Sequence, residues 1–204
     1  APRFTSLRGF SDILPGESER WQAFEASARN LMRRYGFREI RPPMLEPTEL
    51  FVRTVGEATD IVGKEMFTMQ SGDESFSLRP ELTASVCRAF VEHSLDRAGL
   101  TRLYYLGPAF RKERPQKGRL RQFHQIGVEW FGESAPGADV ETIAVAWDLV
   151  QAAGVRSPAL SINTLGDVPS RTRYREALVG FLRECEDQLD AESRSRIERN
   201  PMRV

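Results

Sequence analysis

Residues 123–130 read FHQIGVEW and change character at every step. A period of two belongs to a β-strand, so His124, Ile126, Val128 and Trp130 share one face, and Phe123, Gln125, Gly127 and Glu129 share the other. The first face is mostly apolar and is expected to look into a core. The second carries an aromatic ring, an amide, a residue with no side chain and a carboxylate, which is unusual for a strand that only packs. The bare position between Gln125 and Glu129 leaves a gap that other matter can fill. Residues four apart on a strand stand roughly 13 Å apart, room for a small zwitterion held between an amide and a carboxylate.

The segment just before this strand is as distinctive. Between Arg111 and Arg121 lie six basic residues (Arg111, Lys112, Arg114, Lys117, Arg119 and Arg121) and one acid, Glu113. Pro115 and Gly118 break the run, so Phe110–Phe131 reads as strand, exposed loop, strand. Guanidinium forks match phosphate oxygens two at a time, so such a loop can clamp a polyphosphate. The plainer alternative is a solvated hairpin with a charged tip and a polar outer face. Against it stands the Phe and the spaced Gly in register with two polar groups.

The rest of the chain supplies alternating strands and helices. A helix is expected from about Glu17 to Tyr35, with Trp21, Phe24, Ala28, Leu31, Met32 and Tyr35 on one stripe and Gly36 ending it. Phe37–Arg41 is short and extended and runs into Pro42-Pro43. Phe51–Gly56 and Glu65–Met69 read as connecting and strand-like segments, Ser71-Gly72-Asp73 as turn, and Ser75–Arg79 as an alternating, extended run. A helix is expected to begin at Pro80, burying Leu82, Val86, Ala89, Phe90 and His93. Glu81 and Thr83 then lie in its first turn, where a carboxylate and a hydroxyl can hold an ammonium group. An acid there also simply favours the helix dipole. Arg102–Pro108 is another strand. Ala138–Ala153 is a helix capped by Asp139, facing inward with Val140, Ile143, Ala144, Trp147 and Val150. Leu160 and Ile162 suggest a short strand. An amphipathic helix through Tyr174, Leu178, Phe181, Leu182 and Cys185 follows, then a charged segment from Asp190 to Arg199. The pattern implies an α+β fold, a mainly antiparallel sheet with helices on one face. The expected division is 1–166 and 167–204.

FRKERPQKGRLRQFHQ, residues 110–125, resembles the second signature motif of the class II aminoacyl-tRNA synthetases, in the form of the histidyl-tRNA synthetase family. The long helix with its proline-ended strand resembles the first motif, which in that family builds a homodimer interface. Leu78-Arg79-Pro80-Glu81-Leu82-Thr83-Ala84 resembles its amino-acid binding element. The resemblance implies an enzyme that joins histidine to the α-phosphate of ATP, with Mg²⁺, and passes the histidyl group to tRNA(His). It implies that Arg111 holds the α-phosphate and acts in catalysis, that Glu113 lies by the adenosine, that Arg119 reaches the distal phosphates and that Phe123 stacks on adenine. Glu81, Thr83 and Gln125 would hold the α-ammonium with Arg111 nearby, Leu82 would line the pocket through its backbone, and Glu129 would face the imidazole. Arg114, Gln116 and Lys117 would meet the tRNA acceptor end. The family's third motif, its histidine-specific arginine segment and its anticodon-binding domain are missing from these residues. The chain therefore reads as an N-terminal fragment ending at the start of a helical insertion, weak or inactive alone. The other reading is the synthetase-like regulatory subunit of ATP phosphoribosyltransferase, which charges no tRNA; the intact ERPQKGR loop argues against it.

Composition narrows the partners. The formal net charge is zero, so nucleic-acid contact has to come from a local patch such as this loop. Cys87 and Cys185 lack metal-ligand spacing and read as reduced, with no metal site expected. No apolar run is long enough to span a bilayer and no signal pattern opens the sequence, so the expected location is the cytoplasm, without a membrane partner.

Overall fold

Trp21, Phe24, Ala28, Leu31 and Met32 recur at helical spacing, and they form the inner stripe of helix α1 (Ser18–Arg34), with Ala28, Leu31 and Met32 fully buried. The structure is a computed structural model describing residues 4–55, 65–164 and 166–203. It packs as two compact units, Ala1–Pro158 and Ala159–Val204.

In the first unit α1 leads to β1 (Arg38–Glu39), β2 (Leu45–Pro47), α2 (Thr48–Val55), β3 (Phe67–Ser71), β4 (Glu74–Leu78), α3 (Thr83–Glu92), β5 (Arg102–Phe110), β6 (Gln122–Trp130) and α4 (Pro136–Ala152). The strands make two three-stranded sheets, ordered β1-β5-β6 and β2-β4-β3. Every pairing is antiparallel except β1 with β5. The α+β class with a mostly antiparallel sheet is therefore as the sequence implies. The helices, however, flank both faces of the β5–β6 hairpin rather than one. Ile126, Val128 and Trp130 pack with Tyr104, Met32, Phe37 and Val145 on the side of α1 and α4. Leu103, Tyr105, Ala109 and Phe123 pack with Leu82 and Val86 on the side of α3. Covered twice, β5 is buried along most of its length, as strands with two packed faces are. His124 lies where its face predicts, its ring 4.6 Å from that of Trp21.

Several local expectations fail for identifiable reasons. Residues 48–55 are helix α2 rather than strand-like, with Phe51 fully buried; Gly56 lies outside the described residues. Helix α3 starts at Thr83, three residues after Pro80, because Glu81 turns back to cap it. His93 is at the C-terminal cap and exposed, not on the buried face. Helix α4 starts at Pro136 with Ala135 at the cap and no side-chain cap, so Asp139 sits within the first turn. Its inner face is centred on Val145 and Leu149, and Val140 is 65% exposed. Charged residues share that inner face because they are matched. Arg102 donates to Glu141 at 2.8 and 3.1 Å, and the Tyr35 hydroxyl donates to Asp148 at 2.8 Å.

In the second unit no strand forms at Leu160 and Ile162, both exposed. Helix α5 (Val168–Glu184) is capped by Asp167, which accepts from the Ser170 amide at 2.8 Å. Its buried residue is Leu182, while Tyr174 and Phe181 are exposed. The charged segment forms α6 (Ala191–Arg196), capped by Asp190, with Ile197 buried beyond it.

Candidate active site

Glu81, Thr83, Tyr105 and Glu129 come together where the α3 N-terminus meets the β5–β6 hairpin. The antiparallel register sets Leu103 opposite Glu129, Tyr105 opposite Gly127, Gly107 opposite Gln125 and Ala109 opposite Phe123. These positions share the face that α3 covers. Gln125 and Glu129 are both half-buried rather than solvated.

Glu81 occupies the entrance of α3. One carboxylate oxygen accepts from the Thr83 amide at 2.7 Å and the other from the Ala84 amide at 2.8 Å. The acid thus serves the helix entrance, and its two oxygens, with further lone pairs, remain able to accept from an ammonium. Leu82 is buried under the turn. The Gln125 Oε1 atom is buried and has no hydrogen-bond partner among the described residues. An unmatched buried acceptor costs about 1–3 kcal/mol, a cost that an incoming N–H removes.

Glu129 is held in a tension of opposing effects. Burial raises its pKa above the ordinary carboxylate value, and the nearby Glu81 charge pushes the same way. Hydrogen bonds from the Thr83 and Tyr105 hydroxyls pull it back down. The gap expected at Gly127 is not open. A Cβ at that position would meet Tyr105 Oη at 2.2 Å and Cζ at 2.3 Å. The Tyr105 ring from the neighbouring strand lies across the bare backbone, and its hydroxyl ends 3.4 Å from Thr83 Oγ1. Sequence reasoning missed this residue. Folding the hairpin about its loop pairs 105 with 127, and an aromatic opposite a glycine is the signal that was there to find.

The phosphate-matching residues lie at the hairpin's far end. Arg111 follows β5 directly. Its Nε donates to the Pro80 carbonyl at 2.9 Å, and its guanidinium carbon stands 5.2 Å from the centre of the Phe123 ring. Neither of its Nη groups makes a hydrogen bond to another described residue. Arg119 pairs with Glu113 at 2.9 Å. Arg114, Gln116 and Lys117 are exposed at the loop tip, which closes through reciprocal backbone bonds between Gln116 and Arg119. The loop base is anchored by the N-terminal segment, since the Gly9 carbonyl accepts from the Arg121 and Gln122 amides at 2.8 and 3.2 Å.

Arg79, also overlooked in the sequence, positions the arrangement from below. Only 4% exposed, it donates to three carbonyls: Pro108 at 2.8 Å, Pro42 at 2.7 Å and Pro43 at 3.1 Å. Its own carbonyl accepts from the Phe110 amide at 2.9 Å. The α3 entrance and Arg111 are thereby fixed to one another.

Comparison with known proteins agrees. The pattern of the histidyl-tRNA synthetase family matches residues 9–185. A histidine–tRNA ligase of Synechococcus sp. strain RCC307 is 54% identical over 98% of the chain and 48% of its own length. The ligase of Acaryochloris marina is 52% identical over 97% of the chain and 46% of its own. The chain thus spans about half the length of the curated relatives it matches. Among solved structures, apo histidyl-tRNA synthetase of S. aureus superposes with a TM-score of 0.76 at 36% identity, over 98% of this chain and 48% of that one. A Bacillus halodurans protein described as ATP phosphoribosyltransferase regulatory subunit/histidyl-tRNA synthetase shares the fold, with a TM-score of 0.69 at 24% identity, over 96% of this chain and 54% of that one.

Proposed function

The chain belongs to the histidyl-tRNA synthetase family, and from that premise we propose that it carries the first half of the active site of a histidine–tRNA ligase. In this reading the histidine carboxylate attacks the α-phosphorus of ATP, pyrophosphate leaves, and the histidyl-adenylate passes its acyl group to the terminal ribose of tRNA(His) with loss of AMP. The observation that carries the reading is the buried Gln125 Oε1, without a partner among the described residues, on the sheet face covered by α3, whose entrance Glu81 occupies. Together with Thr83 they form a set of acceptors suited to an α-ammonium. Glu129, at the pocket's other end, pairs an imidazole N–H, a donor that isosteric side chains lack.

Arg111 sits between the two substrates, with its terminal nitrogens free for the α-phosphate and the attacking carboxylate. Its work is positioning and charge neutralisation, the main requirements of transfer at phosphorus. Arg119 must part from Glu113 to take the distal phosphates, leaving Glu113 for the adenosine, and Phe123 offers ring surface to adenine. The exposed Arg114, Gln116 and Lys117 suit the acceptor end of the tRNA. Mg²⁺ enters as counter-ion of ATP. No group of three His, Cys, Asp or Glu side chains placed to hold a metal ion lies among the described residues, so the ion would be held through the phosphates. The exposed apolar residues Phe4, Leu7, Leu14 and Met44 support a homodimer, and no helix among the described residues is long and apolar enough to cross a membrane, in keeping with a cytoplasmic enzyme. The more similar relatives are named ligases, which favours charging over a purely regulatory role.

Histidine-dependent pyrophosphate exchange in the complete ligase tests this. Glu129→Ala is expected to raise the KM for histidine far more than that for ATP. Arg111→Ala is expected to lower kcat by roughly 10²–10³, the usual effect of removing one charge-stabilising donor. Equal loss of both substrates in Glu129→Ala would refute the assignment. The 204-residue chain alone should exchange weakly or not at all.

A further inference from the structure

Tyr105 stands apart from every role assigned so far. It is 6% exposed and belongs to the apolar cluster beneath α3, yet it places a hydroxyl at the one spot where Thr83 and Glu129 meet. A residue needed only for packing would serve as well as Phe. The opposite strand has given up its side chain to admit this ring, because any Cβ at 127 would overlap Oη and Cζ. The ring therefore closes the floor between Gln125 and Glu129, and its tip touches the acid that faces the amino-acid side chain.

We infer that Tyr105, seated on Gly127, is the residue that sets side-chain selectivity in this pocket, by limiting its depth and by holding Glu129 in place as an anionic acceptor. This rests on the amino-acid site proposed above. A carboxylate that is half-buried and close to Glu81 tends to take up a proton. A neutral carboxyl presents a hydroxyl and no longer demands an N–H from the substrate. The O–H of Tyr105 donates to Glu129 and, with the Thr83 hydroxyl, works against both influences without cancelling them. The carboxylate's remaining lone pairs are left to accept from a ring N–H. Burial also raises the Tyr105 pKa, which keeps its proton available for donation across the neutral range.

The test compares histidine with β-(2-thienyl)alanine, whose ring has similar size and no N–H, in pyrophosphate exchange by the complete ligase. Tyr105→Phe keeps the ring and removes only the hydroxyl. It is expected to raise the KM for histidine about tenfold or more, the size expected for losing a hydrogen bond to a charged group. The KM for ATP should stay within about twofold, and the ratio of kcat/KM for histidine over thienylalanine should fall at least about tenfold. Gly127→Ala, which displaces the ring, should move that ratio in the same direction. An unchanged ratio in Tyr105→Phe would overturn the inference, since a purely packing role leaves selectivity untouched. If Gly127→Ala fails to fold, Tyr105→Phe decides alone. Failure of the underlying reading looks different: the unmutated enzyme would then activate thienylalanine as readily as histidine, or activate neither.

Discussion

Replacing Arg79 by Met should cost unit Ala1–Pro158 about 2–4 kcal/mol, and the structure says where that loss arises. The guanidinium satisfies the carbonyls of Pro42, Pro43 and Pro108 at once. Each bond from a charged donor contributes about 1.5–3 kcal/mol net, and a carbonyl left unmatched in the interior costs about 1–3 kcal/mol. These do not sum simply. Pro43 is exposed, so water can replace the bond there. Removing a buried charge also recovers part of its desolvation cost, seen in burial's lowering of the Arg79 pKa. Pro42 and Pro108 are half-buried and have less such relief, which leaves the stated range. For a chain of this size it corresponds to roughly 4–16 °C in Tm. Arg79→Lys keeps the charge but not the planar fork, and should lose about half as much. Gly107→Ala acts from the opposite side, since its Cβ would come 2.8 Å from Arg79 Nη2. The chain's three tryptophans, Trp21, Trp130 and Trp147, all lie in this unit, so a urea titration followed by their fluorescence reports it directly. A midpoint shift in Arg79→Met equivalent to less than about 1 kcal/mol, below even one lost charged bond, would show that the three carbonyls find other partners and that Arg79 does not fix the site.

Glu129→Gln should stabilise the fold near neutral pH and lose that advantage in acid. The Glu129 pKa is raised by burial, so the native state holds the proton longer than the unfolded one, and stability falls as pH rises from the ordinary carboxylate value through the raised one. A stability difference between the two proteins that does not vary with pH would contradict this. Arg102→Met should cost about 1–2 kcal/mol by urea titration. It strips Glu141 of a bidentate partner and Trp130 of a cation 3.7 Å from its ring centre. An unshifted Trp fluorescence spectrum in that variant would count against the stacking.

The β5–β6 hairpin was legible because its information is local. Alternation from Phe123 to Trp130 names the faces, and the loop's Pro115 and Gly118 name the turn. Helix α4 was misphased because it is apolar on opposite sides, Val145 and Leu149 inward and Val140 outward. Its inward-facing acids, Glu141 and Asp148, look like surface residues until their partners Arg102 and Tyr35 are brought up from 39 and 113 positions away. Arg79 was invisible for the same reason. Nothing in the run LRPELTA says that the arginine is buried against proline carbonyls, because those acceptors come from two other segments.

The gap at Gly127 teaches a related point with a consequence for the proposed reaction. A missing side chain marks close approach but not by what, and here the approaching group is Tyr105, part of the protein itself. The amino-acid end of the site is therefore built before any ligand arrives, with Glu81 capping α3 and Tyr105 seated against its opposite strand. The nucleotide end is not: Arg119 is spent on Glu113, and that exposed pair is worth only about 0–1 kcal/mol, little enough for a triphosphate to break. In the proposed reaction, histidine then meets a preorganised pocket while ATP rearranges its loop. Histidine affinity should accordingly change little with ionic strength, and ATP affinity should weaken steeply as salt screens the exposed arginines. Isothermal titration of the complete ligase at low and high salt measures both, and a parallel decline of the two affinities would mean that the amino-acid pocket is not preformed.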